Sequence, residues 1–97
     1  MFTSHVAETI ANQITNQALI MLGAHTLVEA SDSLTFRVRG SRFANCVKVT
    51  LDPSDTYTVE FYKITRHRFP TVKSVSFVHA PELRRVIGET LGLAVSL

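Results

Sequence analysis

Tryptophan is missing from this 97-residue chain, and cysteine, proline and glycine are scarce, at one, three and four residues. Each scarcity excludes something. The lone thiol, Cys46, cannot form an intramolecular disulfide, so the fold must stand on its core, a usage that suits a reducing compartment. The glycines, Gly23, Gly40, Gly88 and Gly92, are scattered singly, which rules out a glycine-rich phosphate loop. Residues 18–22 are the longest apolar run, far short of the ~20 residues that span a bilayer. The first residues, MFTSHVAETIANQ, carry no basic segment and no long apolar stretch of the kind that directs export. A cytoplasmic protein with no membrane partner is the expectation.

One more absence is regional. Residues 1–36 contain no lysine or arginine, only Glu8, Glu29 and Asp32, a charge of −3. Residues 37–73 then hold eight basic residues against Asp52, Asp55 and Glu60, which is 8 − 3 = +5, although the whole chain is only +2. A field so segregated steers acidic partners, whether protein or nucleic acid. The plainer reading is a sheet surface that carries Arg and Lys for solubility and to blunt its edges.

What is present is an ordinary globular composition, 45% hydrophobic and 19% charged. The length suits a single domain over residues 1–97, since domains typically run to about 100–150 residues. A chain this size buries somewhat above ~60% of its unfolded surface, enough for a two-layer core.

Residues 47–64, VKVTLDPSDTYTVEFYKI, show the clearest pattern. Val47, Val49 and Leu51 alternate with Lys48 and Thr50, and Tyr57, Val59 and Phe61 alternate with Thr58, Glu60 and Tyr62. That period predicts a half-buried β-hairpin, with Pro53 in a type I turn and Asp52 bonding the backbone ahead of it. Residues 34–39 alternate as well, and 25–29 and 71–78 read as further strands. The stripe Val6, Ile10, Ile14, Ala18 and Leu22 predicts a first helix over residues 4–22, capped by Thr3 or Ser4 and ended by Gly23. Pro81, Glu82 and the stripe Leu83, Val86, Ile87, Leu91 predict a last helix stopped by Gly92, with the apolar tail 93–97 docked on the core.

Short links between successive strands favour an antiparallel meander. The fold class is therefore α+β, a two-layer sandwich. A meander of four or five strands carries the N- and C-terminal helices on one face, in the order α-β-β-β-β-β-α. Phe36, Val49, Val59, Phe61, Ile14 and Val86 are the expected core. Thr35, Arg37, Arg39, Lys48, Thr50, Thr58, Glu60 and Tyr62 are expected on the outer face.

The segments ALIMLGA, SLTFRV, VKVTLDPSDTYTVEFYKI, TVK (71–73) and LRRVIGETLGLAVSL stand in this order. Together they resemble a family of small phage- and prophage-encoded proteins of uncharacterised function. The resemblance runs from Gln17 onward and departs at residues 66–70 and 79–81. It implies a phage or mobile-element origin and a bacterial host cytoplasm. It brings no catalytic motif.

Candidate chemistry is sparse. The four histidines, His5, His25, His67 and His79, and Cys46 fall on different predicted elements without metal-ligand spacing, so no metal, cofactor or catalytic residue is assigned. Asp52 and Asp55 are turn residues and Glu60 is expected in a cross-strand ion pair, which argues against acid–base work. The basic residues are more informative. Arg37, Arg39 and Lys48 beside Tyr62, with Arg66 and Arg68 in the following loop, form the expected partner-binding set, and Phe69 makes that loop a second basic-aromatic cluster. The partner would be a host protein or ribonucleoprotein complex with an acidic or phosphate-rich surface. The sharpest version is an anti-CRISPR-type antagonist of host defence. The alternatives are a nucleic-acid binder using the basic sheet face and, third, a small hydrolase or nuclease.

Overall fold

The computed structural model describes residues 5–39, 44–68 and 70–92, with residue 16 described for its backbone only. Two helices, α1 (His5–Ile14) and α2 (Asn16–Met21), precede five strands: β1 (His25–Glu29), β2 (Ser33–Arg37), β3 (Cys46–Leu51), β4 (Tyr57–Tyr62) and β5 (Thr71–Val78). A 3-10 turn, Ala80–Glu82, leads into α3 (Leu83–Leu91). The strands form one antiparallel sheet in the order β1-β2-β3-β4-β5, the expected meander.

Alternation sets the two faces. The register places Val47 opposite Phe61 and Val49 opposite Val59, and β2 adds Phe36 opposite Val47 and Leu34 opposite Val49. All six are fully buried, in one core with Ala7, Ile10 and Ile14 of α1 and Leu83, Ile87 and Leu91 of α3. Because α1 and α3 also touch each other, both terminal helices share this face. Val86 is only half-buried at the core's margin, whereas Leu83 and Ile87 take the centre.

The single helix expected over residues 4–22 is two helices. The stripe from Val6 to Leu22 recurs strictly at i+4, and each such step overshoots a turn by about 40°, so on a straight helix it wanders by about 160°. A break lets both halves bury their apolar sides. It falls at Thr15, whose φ is 81° and whose N–H still closes α1 on the Ala11 carbonyl at 2.9 Å. Thr15 also caps α2, its Oγ1 accepting from the Ala18 N–H at 3.2 Å. The expected caps Thr3 and Ser4 lie outside the described residues, as do Arg42, Phe69 and the tail 93–97.

The central hairpin turns as expected, with a difference in its side chains. Asp55 N–H donates to the Asp52 carbonyl at 3.0 Å, and Asp55 then takes φ 65°, a three-residue loop of type I turn plus left-handed residue. Asp52's carboxylate accepts from Thr58 Oγ1 at 2.6 Å, across the hairpin and not from the turn backbone. Strand β2 ends at Arg37, two residues early, because Val38 N–H turns to the Asn45 carbonyl and Arg39 N–H to Leu22 of the helical layer. Pro81 sits within the 3-10 turn, so α3 starts later than its proline suggested.

Two substitutions test this account. Phe61→Ala, at the centre of the core, is expected to cost about 3–5 kcal/mol in urea denaturation. A loss below about 1 kcal/mol would mean that the hairpin's faces are reversed. Thr15→Gly should run against the usual cost of glycine near a helix. It relieves a strained φ worth about 1–3 kcal/mol and forfeits a cap worth a few tenths, so stability should rise by about 1 kcal/mol. A drop in the urea midpoint would show that the cap matters more than the strain.

Candidate functional site

In a meander the connections alternate between the two ends of the sheet, and here the charges sort with them. One end carries the β1–β2 turn with Asp32 and the β3–β4 turn with Asp52 and Asp55. These turns are joined by the Leu51 N–H donating to the Asp32 carbonyl at 2.8 Å. The other end carries the close of β2 with Arg37 and Arg39, the close of β4 with Lys63, and the β4–β5 loop with Arg66, His67 and Arg68. The basic stretch of the sequence therefore becomes a basic end, and of the three acids interspersed in it Asp52 and Asp55 are carried to the opposite end, while Glu60 stays mid-strand on the outer face opposite Lys48.

Asn45 fastens that basic end. Its Nδ2 donates to the Ile64 carbonyl at 2.8 Å and its Oδ1 accepts from the Ile64 N–H at 2.7 Å. The β3–β4 pair is thereby held together just past its last ladder row, Cys46 opposite Tyr62. The loop beyond is a defined turn. Thr65 N–H and Oγ1 both donate to the Arg68 carbonyl, at 2.7 and 3.1 Å, and Arg68 N–H returns to Thr65 Oγ1 at 3.2 Å. Arg66 and Arg68 stand exposed on it. Such ordering lowers the entropy lost when the side chains meet a partner.

The six expected binding residues fall into three groups. Arg37, Lys48 and Tyr62 share the outer sheet face: Arg37 and Tyr62 lie on either side of Cys46 in one cross-strand row, and Lys48 is in the next. Arg39 lies past the end of the strand, against the corner at Gly23. A Cβ at Gly23 (φ 67°) would sit 3.1 Å from Arg39 Cβ, so the close approach and the left-handed backbone both call for glycine there. Arg66 and Arg68 stand on the loop at the same end as Arg37 and Arg39.

Lys48 faces Glu60 directly in the register, but the expected ion pair between them is not formed. Glu60 instead influences Tyr62, two residues on. Burial raises the Tyr62 phenol above its ordinary value of 10.0, and the charge of Glu60 and its hydrogen bond raise it further, with a hydrogen bond from Thr71 opposing. Cys46 is only 4% exposed although it lies on the outer face. Burial pushes its thiol up, against the pull of Arg37.

Asn45 and the acidic tips were not singled out by sequence reasoning. Nothing local marks Asn45, whose partner lies nineteen residues away. Among the described residues no three His, Cys, Asp or Glu side chains gather to hold a metal ion, and no helix is long and apolar enough to cross a membrane.

Two measurements follow. Asn45→Ala leaves the part-buried Ile64 backbone groups unsatisfied, so it should cost about 1–3 kcal/mol and speed exchange of the Ile64 amide. An unchanged Ile64 amide would show that the clamp does not hold the loop. The second concerns alkaline pH. Tyr57 is also raised, by burial and then by Asp55. A phenol raised in the folded state stabilises fully below the unfolded pKa and loses that contribution as pH climbs through the folded one. Stability should therefore fall once pH passes 10.0, with tyrosinate absorbance appearing later than for free tyrosine. Ionisation at the free-tyrosine pH would contradict the burial of both rings.

Comparison with known protein families, with curated proteins and with solved structures finds no match.

Proposed function

We propose that this protein acts by binding, and that it presents the basic end of its sheet to an acidic surface on a protein partner. The observation that carries the reading is the sorting of charge to opposite ends, with Arg37, Arg39, Arg66 and Arg68 grouped beyond the core and their loop clamped by Asn45. Solubility alone asks only that charge be dispersed. In line with the phage-type resemblance, the partner would be a host protein or ribonucleoprotein, and inhibition of a defence effector is the most specific form of the idea.

Nucleic acid is the weaker alternative. Binders of single strands combine a basic groove with aromatic platforms for the bases. Among the described residues Tyr62 is the one aromatic on the outer face of β2–β4, and it is half-buried beside the Glu60 carboxylate, which repels phosphate.

Capture from bacterial lysate on the immobilised protein tests the reading. Arg66→Glu/Arg68→Glu and Arg37→Glu/Arg39→Glu should each slow association by about tenfold or more at low salt, with the fold intact. Retention of the same partner by both double variants would move the functional surface to the helical layer. Loss of the captured material on nuclease treatment, with a steep fall of affinity in salt, would favour nucleic acid instead.

A further inference from the structure

The strand β5 is not explained by the protein's own core. It is the longest strand, eight residues at the edge of the sheet, yet only Val78 is buried and Val75 is half-buried. Lys73 lies opposite Phe61, on the side the helices occupy, and is nonetheless exposed. Among the described residues the helical layer therefore covers β5 only near its C-terminal end, and the rest of the strand is open on both faces, with no strand paired to its outer edge.

Apolar side chains remain on it. Val72 is 40% and Phe77 75% exposed. Both lie where the register with β4 is irregular, and Phe77 has φ 57°. Bulges of this kind re-aim side chains, and they recur at sheet edges and functional sites.

We propose that β5 receives an extended acidic segment of the protein partner as an added antiparallel strand. This rests on the reading of the basic end as a partner surface and says how the partner is held. Charge identifies the occupant. Arg66 and Arg68 stand just before β5 and Lys73 stands on it, and β5 itself carries no carboxylate. The opposite edge, β1, also exposes Leu27 and Val28 and is irregular in register, but it is shorter, five residues, and its charge is reversed, ending on Glu29 and followed by Asp32. All pairings in this sheet are antiparallel, and an added strand of the same sense is the more stable choice. The segment's C-terminal half then lies beside Arg66, Arg68 and Lys73 and is acidic, while its N-terminal half lies beside Phe77 and is apolar. Main-chain bonds supply affinity and these two flanks supply selectivity.

A second copy fits less well. Pairing β5 with itself brings two Lys73 side chains into one short interface. A single strand contact also covers far less than the ~1,200 Å² of a stable interface.

The test uses the whole chain as bait for a displayed library of random peptides, with amide resonances followed on binding. Enriched peptides should carry Asp or Glu in the C-terminal half and β-branched or aromatic residues in the N-terminal half, and they should shift the amides of residues 71–78. Phe77→Asn, which suits the left-handed backbone, and Arg66→Glu/Arg68→Glu should each weaken these peptides by about tenfold. No enrichment, or binding that leaves residues 71–78 unmoved, overturns the proposal. Sedimentation showing a dimer that Phe77→Asn dissolves overturns it too, because a second copy then holds the edge. The lysate partner separates the two ideas. Capture lost with the arginine variant but kept with Phe77→Asn leaves the basic end standing and sinks the strand addition, while capture kept with both sinks both.

Discussion

One-sided burial of the sheet is the constraint on which everything else rests. Val47, Val49, Val59 and Phe61 place four fully buried side chains on one face of the central hairpin, and α1 and α3 exist to cover them. Neither helix is long enough to be stable alone, since isolated helices below ~12–15 residues are marginal in water. Sheet and helices therefore form together or not at all. With the inner face of β2–β4 committed, the sheet leaves its outer face, its ends and its edge strands for anything other than folding.

How far that layout was legible depends on the range of the physics involved. Strands β3 and β4 were readable because alternation is a local signal and the turn between them has its own chemistry in Pro53 and Asp52. The meander followed from short connections. The break at Thr15 was less accessible: an i+4 stripe looks like a helix in any short window, and its drift shows only over the full length. Val86 was misjudged for a related reason, because the stripe of α3 fixes a direction and not how far the layer reaches. The partial cover over β5 left no trace at all, since TVKSVSFV reads the same whether or not a helix lies above it.

The candidate site divides in the same way. A basic middle segment was visible as composition. Its conversion into a basic end required the topology, which folds residues 37–39 and 63–68 to one end and 52–55 to the other. Asn45 was harder to read: the predicted hairpin brings residues 45 and 64 close, but no local signal shows that the Asn45 side chain makes both bonds to Ile64. The outer face itself proved less open than alternation alone suggests, with Cys46 covered and Tyr62 tied to Glu60.

The sorting of charge to opposite ends gives the molecule a permanent dipole moment along its strands, which a net charge of +2 does not convey. In a uniform field such a body feels a torque as well as the force on its net charge. Approaching a negatively charged surface, it rotates basic end first while still separated by about a Debye length, roughly 8 Å at physiological ionic strength. Orientation then precedes contact, and fewer collisions are wasted on the wrong face. A neutralising change at the acidic hairpin tip, far from any contact, would weaken this alignment as surely as one among the arginines.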